Sequence, residues 1–333
     1  MRFSHPATDR EAAAAVVPGQ ATQARRDSGA PVDYTTYVMD APSDAETALD
    51  RVYDIQAPQE QTLPLVVASP HSGRFYPPEF LAAARLDGRT LRKSEDAFVD
   101  EIFAAAPRLG APLLRALFPR AFLDVNREAY ELDPEMFADS LPAYVNTRSP
   151  RVAAGLGTIA RVVANGEEIY RGKLRFADAA QRIARFYQPY HAALRDLIDA
   201  SAARFGHCIL IDSHSMPSAG SAERERDGRR VDLVLGDCFG SACAPVVIDT
   251  AERLLRSKGY TVNRNAPYAG GFTTRHYGRP RTGVHALQIE INRDLYMDEG
   301  TLDRLPFLPT LAEHMAELVT TLGAIDGDLL RRR

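Results

Sequence analysis

Short apolar runs alternate with longer stretches of helical period along most of the chain. Leu65-Val66-Val67-Ala68, flanked by Pro64 and Pro70, predicts a buried strand that ends in Ser69-Pro70-His71-Ser72-Gly73. Further strands are predicted at Leu113–Phe118, Phe122–Val125, Cys208–Asp212, Leu233–Gly236 and Ala286–Ile291. Helical patterns lie between them at Glu95–Ala106, Ala177–Arg204, Pro245–Ser257 and Pro309–Leu322. Strands that alternate with helices predict an α/β fold, a three-layer α/β/α sandwich around a mixed, largely parallel sheet. In such sheets, functional groups gather outside the strand ends.

The pattern begins near Val52. Residues 1–45 are rich in Ala, Pro, Gly, Ser and charge without a period, so they are expected to form a flexible tail. Residues 46–333 are then a single domain. Deleting the tail is expected to leave turnover and melting temperature nearly unchanged. Composition adds exclusions. The chain has 333 residues and a formal net charge of −4, which gives no reason to expect a nucleic-acid partner. No apolar run approaches the ~20 residues of a membrane span, and no apolar stretch near the N-terminus suggests a secretory signal. The three cysteines, Cys208, Cys238 and Cys243, lack zinc-finger spacing and suit reduced thiols in a cytoplasmic protein. Oligomeric state is not readable.

Two strand ends carry a histidine. His71 follows the first run and His214 closes Ile209-Leu210-Ile211-Asp212-Ser213-His214. Paired strand-tip imidazoles suit a zinc ion, which takes neutral nitrogen ligands and commonly a carboxylate. Asp212 either orients His214 or caps a turn. The carboxylate candidates are Glu95, Asp96 and Asp100, with Ser94 a possible helix cap; Asp96 and Asp100, four apart, would share a helix face. Asn126-Arg127, after a predicted strand, suits an anionic substrate or a surface ion pair. The glycine-rich stretch Tyr268–Pro280, holding Arg275, His276 and Arg279, matches neither phosphate-loop fingerprint and better suits a small carboxylate. Glu290, within Gln288–Arg293, is either a base aimed at a water or a structural acid paired with Arg293 or Arg275.

Taken in order, SPHSG at 69–73, EDAFVD at 95–100, RAFLDVNR at 120–127, DSHSMPS at 212–218, VLGD at 234–237, YAGGFTTRHYGRP at 268–280 and HALQIEINRDLYMDE at 285–299 resemble the N-formylglutamate amidohydrolase family. The resemblance covers roughly residues 55–325. It implies a zinc-carboxypeptidase-like (phosphorylase/hydrolase-like) fold and zinc on His71 and His214. It also implies Glu290 as general base and a substrate carboxylate held by Asn126 and Arg127. The acidic ligand of carboxypeptidase-like enzymes often stands three residues after the first histidine. That position here is Arg74, so the third ligand must come from elsewhere: Asp96 is preferred, with Glu95 close behind. Arg120 would stabilise the oxyanion, and Arg275, His276 and Arg279 would help bind substrate. The expected reaction releases formate and glutamate from N-formylglutamate, a step of histidine degradation. Alternatives are another N-acyl amino acid or short peptide as substrate, or a non-catalytic metal- or ligand-binding protein.

Overall fold

The computed structural model describes residues 51–163, 166–218 and 230–331; the tail expected over residues 1–45 lies outside them. A seven-stranded sheet runs in the order β1-β3-β2-β4-β7-β5-β6. The strands are β1 Tyr53–Gln56, β2 Leu65–Ser69, β3 Leu113–Ala116, β4 Cys208–Met216, β5 Leu233–Gly236, β6 Val262–Arg264 and β7 Val284–Asn292. β1 meets β3 and β5 meets β7 antiparallel, and the other pairings are parallel. The sheet is therefore mixed and largely parallel, as the pattern predicts.

The helices are α1 Pro78–Ala83, α2 Gly88–Arg92, α3 Val99–Ile102, α4 Pro150–Ala153, α5 Phe176–Arg182, α6 Gln188–Phe205, α7 Pro245–Ser257, α8 Phe272–Tyr277 and α9 Leu308–Gly323. One sheet face, carrying Leu65, Val67, Ile209, Ile211, Leu287 and Ile289, packs on α3, α7 and α9. The helical period explains the match: α7 buries Val247, Ile248, Ala251 and Leu255 along one stripe. The opposite face, carrying Val66, Ala68, Leu210 and Ala286, packs on α5, α6 and the segment around Phe118–Ile169. Both faces are covered, which is why β2, β4 and β5 read as continuous apolar runs.

Four expectations need correction. Phe122–Val125 is not a strand but a buried turn. The amides of Phe122 and Leu123 both donate to the Pro119 carbonyl, and Asp124 turns back to accept from the Asn126 amide at 2.8 Å. Its apolar residues fill the second core without joining the sheet. The helix expected over Glu95–Ala106 shrinks to α3, because Phe98 adopts a left-handed conformation (φ 64°) and stops helix from running back to Ser94. Asp96 thus precedes the helix, and Asp96 and Asp100 do not share a face. The helix expected over Ala177–Arg204 is interrupted by a π turn at Ile183–Tyr187. β4 runs to Met216, so His214 lies within the strand, beyond the predicted end at Asp212, whereas Glu290 lies inside β7 as expected. The edge strands β1 and β6 had no apolar run to announce them.

Candidate metal centre

β4 and β7 are paired in register, with Asp212 opposite Gln288 and His214 opposite Glu290. Side chains alternate across a strand, so the face that presents Leu210 and Ala286 to the core presents these four polar groups further along. The same face thus changes from apolar to polar toward the strands' C-terminal ends. His71 arrives beside them from the end of β2. Its loop crosses under the Phe118 segment at Gly73, where a Cβ would stand 2.2 Å from the Phe118 carbonyl oxygen, so a side chain is excluded.

The turn before α3 is stitched to that loop. The Asp96 amide donates to the His71 carbonyl at 3.0 Å, and Ser72 Oγ donates to the Asp96 carbonyl at 3.0 Å while accepting from the Asp100 amide at 3.2 Å. Asp96 Oδ2 thereby meets both imidazoles, 3.2 Å from His71 Nδ1 and 3.0 Å from His214 Nδ1. The two ring centroids are 4.8 Å apart. His71, Asp96 and His214 are buried and form a metal-sized cluster whose ligand atoms all lie within 4.8 Å of one another. Asp96 Oδ1 faces away, to Arg293 Nη2 at 3.1 Å and Arg120 Nη1 at 3.7 Å.

Each imidazole is held from behind by a carboxylate. His71 Nε2 donates to Asp124 Oδ1 at 2.7 Å, and His214 Nε2 donates to Asp212 Oδ1 at 2.9 Å. Asp212 Oδ2 accepts from Thr274 Oγ1 at 2.9 Å. With the Nε2 protons directed at carboxylates, both Nδ1 lone pairs point toward Asp96 Oδ2. Three electron-pair donors converge on one place with no hydrogen required between them. That donor set fits a zinc ion, and imidazoles backed by carboxylates are the usual support of metal-bound histidines.

The electrostatics agree with this crowding. Burial opposes charge on Asp96, yet His214, His71 and Arg120 hold its carboxyl well below the usual range. Burial likewise opposes charge on Asp124, yet His71, Arg120 and Arg127 hold it well below. His214 is buried, which disfavours its cation, but Asp212 and Asp96 hold its pKa well above the usual value. Glu290 behaves oppositely: burial pushes its carboxyl up to about 7, against the pull of His214 and Arg120. Its Oε1 accepts from Gln288 Nε2 at 2.9 Å, and Gln288 Oε1 accepts from the Gly271 amide at 2.7 Å.

A model of the N-formylglutamate amidohydrolase family matches residues 63–297. The chain belongs to that family. It is 30% identical over 271 residues to the N-formylglutamate deformylase of Pseudomonas aeruginosa, covering 80% of this chain and 91% of the relative. The enzyme of the same name from Pseudomonas putida is 29% identical over 243 residues, covering 71% of this chain and 83% of the relative. The crystal structure of N-formylglutamate amidohydrolase from Ralstonia eutropha superposes with a TM-score of 0.77 at 38% identity, over 82% of this chain and 97% of the other. A gene product of Agrobacterium tumefaciens shares the fold, with a TM-score of 0.60 at 17% identity over 83% and 96% of the two chains. Membership places the chain among hydrolases of amide bonds.

Within this amidohydrolase, the residues singled out from sequence fall into two groups. His71, Asp96, His214, Glu290 and Arg120 converge. Asn126 and Arg127 adjoin them, but Asn126 is occupied: its Oδ1 accepts from the Thr273 amide at 2.8 Å and its Nδ2 lies 3.1 Å from His214 Nε2. Arg127 spends Nε on the Leu156 carbonyl and Nη1 on the Asn126 carbonyl, leaving Nη2 3.7 Å from Asp124. Arg275, His276 and Arg279 do not reach the centre. His276 stacks on Phe272 and touches Arg195, Arg279 donates to the backbone of Arg275 and Gly278, and all three are exposed. Glu95 also looks elsewhere, bonded to Tyr76 Oη at 2.7 Å and to Arg92. Arg293 pairs with Asp96, so the structural pairing of Glu290 with Arg293 or Arg275 is absent among the described contacts.

Two residues of the centre were missed. Asp124 was hidden inside an apolar run read as a strand, although the Asp-x-Asn spelling of Asp124-Val125-Asn126 is a turn signal that could have shown it. Gln288 stands two residues before Glu290 on β7, and the alternation of a strand, which puts both on one face, is the signal that could have shown it. Gly271 explains why the adjacent loop is glycine-rich: a Cβ there would stand 2.3 Å from Asn126 Nδ2. The glycine lets the loop backbone close over Asn126 and Gln288.

Proposed function

We propose that this amidohydrolase cleaves N-formyl-L-glutamate to formate and L-glutamate with a zinc ion on His71, Asp96 and His214. The observation that carries the reading is the convergence of both Nδ1 atoms on Asp96 Oδ2 beside the buried carboxyl of Glu290. The names of the Pseudomonas and Ralstonia relatives supply the substrate. A bound zinc ion would supply a Lewis acid that polarises the formyl carbonyl and acidifies water.

The chain's own residues do the rest. Glu290, fixed by Gln288, takes a proton from the attacking water as oxygen bonds to the formyl carbon, then returns it to the nitrogen as the C–N bond breaks. Arg120 stays cationic despite burial, because Asp124 and Asp96 flank it. Its Nη2 is bound to Asp124 at 2.8 Å, whereas Nη1 is beyond hydrogen-bond distance from Asp96 and retains donors for a developing oxyanion. Arg127 Nη2 is the adjacent donor for a substrate carboxylate. The same proposal carries the role in histidine degradation and the cytoplasmic setting. No helix among the described residues is long and apolar enough to cross a membrane.

The test is a hydrolysis screen of N-acyl amino acids and short peptides with and without added zinc, scored by formate or acid release. Failure of N-formylglutamate to release formate in the presence of zinc sinks the substrate assignment, and turnover undiminished by strong chelators sinks the metal. Arg127→Ala should selectively raise KM for N-formylglutamate and narrow its advantage over the carboxyl-amidated analogue. An unchanged preference between the two compounds removes Arg127 from recognition.

A further inference from the structure

The turn at 122–127 carries Asp124, which backs His71, and Asn126, which adjoins His214. One helical stretch holds it at three carbonyls. Arg182 Nη1 donates to Phe122 at 3.2 Å, His191 Nε2 to Val125 at 2.9 Å and Tyr187 Oη to Arg127 at 2.8 Å. Arg182 and Tyr187 are five residues apart, and in a regular α-helix they would point about 140° apart. The π turn at Ile183–Tyr187 lies between them and widens the helix by a residue, so both reach the same segment.

His191 also makes a second connection. Its Nδ1 accepts from Tyr277 Oη at 2.8 Å. Tyr277 closes α8, the helix whose Thr274 holds Asp212 and whose Thr273 amide holds Asn126. Phe272 of α8 and Tyr187 pack around the same imidazole. Burial holds the ring's pKa down, to about 4, so it is neutral at pH 7, with its proton on Nε2 and a lone pair on Nδ1. One neutral imidazole thus joins the two segments that fix the Nε2 edges of His71 and His214.

We propose that His191 is a positioning residue for the metal centre: it locks the Asp124 turn to α8 and so sets the direction of both Nδ1 lone pairs. The inference rests on the metal reading of the site. Groups that orient metal-bound histidines contribute roughly 10–100-fold in metal affinity, and His191 stands one contact further out, so about tenfold is expected.

The test measures zinc affinity of the full chain by chelator competition, with the melting temperature of the metal-free protein alongside. His191→Phe keeps a ring in the aromatic cluster and removes both hydrogen bonds; zinc affinity should fall about tenfold. His191→Gln offers a donor and an acceptor and should recover most of the loss. Leu194→Ala creates a cavity in the same helix while leaving all three hydrogen bonds to the turn in place; it should lower the melting temperature and leave zinc affinity unchanged. Three results overturn the inference: His191→Phe binding zinc as tightly as the parent, His191→Gln no better than His191→Phe, or Leu194→Ala weakening zinc as much as His191→Phe. A parent chain that binds no zinc overturns the metal reading itself and the inference with it, a result distinct from the other three.

Discussion

Glu290→Gln should fold, bind zinc and lose roughly 10²–10⁴-fold in kcat, the usual contribution of a general base. The substitution keeps the side chain's shape and its place beside Gln288 but removes basicity. The alternative, a structural acid, predicts a different loss: an uncompensated buried partner costs about 3–5 kcal/mol of stability. The contacts favour the first outcome, because Arg293 is engaged by Asp96, Ser215 and the Lys93 carbonyl without Glu290. A zinc-loaded variant turning over near the parent rate would take Glu290 out of the mechanism, and one that unfolds would make it structural.

The pH profile supplies a second reading of the same group. A base works only when deprotonated, so activity is present above its pKa and falls as pH drops through it. An ordinary glutamate would place that acid limb near 4.5, whereas burial lifts Glu290 to about 7. A bound cation pulls the value down again, so the limb of the zinc-loaded enzyme should lie between the two. Loss of activity on acidification should therefore begin well above the range of an exposed carboxylate. A profile flat down to pH 4.5 would contradict the assignment.

The central strands β2, β3, β4, β5 and β7 were legible in sequence because strands of a sheet covered on both sides read as apolar runs. The layer assignment followed from the alternation of those runs with helical patterns. What could not be read was whatever tertiary context decides. Phe122–Val125 is apolar enough to read as a strand, and the Asp-x-Asn turn signal at its end is all that marks it locally as a turn filling the core beside the sheet. The left-handed Phe98 is silent, since an aromatic residue pays steric strain there that only the assembled site explains. That residue reshaped the acidic segment, so spacing alone could name Asp96 but could not separate it from Glu95 by direction. The histidines were found because each follows an apolar run. Of their supporting carboxylates, Asp212 stands two residues from His214 and its orienting role is one of two readings there, whereas Asp124 reaches His71 across 53 residues and carries no such local signal.

Removing the ligands should separate metal loss from structural damage, and Asp96 is where the two coincide. His71→Ala should lose stoichiometric zinc by elemental analysis while the metal-free fold changes little, because Asp124 keeps Arg120 at 2.8 Å and the Asn126 amide. Asp96→Ala should lose zinc and also weaken the metal-free protein by about 3–5 kcal/mol, because buried Arg293 loses its 3.1 Å carboxylate partner and keeps only the more distant Glu299, at 3.8 Å, among the described residues. His214→Ala falls between, since among the described residues Asp212 keeps the Thr274 hydroxyl as its side-chain hydrogen-bond partner. Glu95→Ala should keep its zinc, because that carboxylate is turned to Tyr76 and Arg92. A metal that binds only the folded chain stabilises it by about 4 kcal/mol at a thousand times its Kd. The parent and the Glu95→Ala variant should therefore melt higher with zinc than with chelator, and the three ligand variants should show no such difference. A zinc-dependent rise in melting temperature that survives in His71→Ala or His214→Ala would mean that the metal is held elsewhere, and the convergence on Asp96 Oδ2 would then be a buried proton-sharing cluster with no ion to hold.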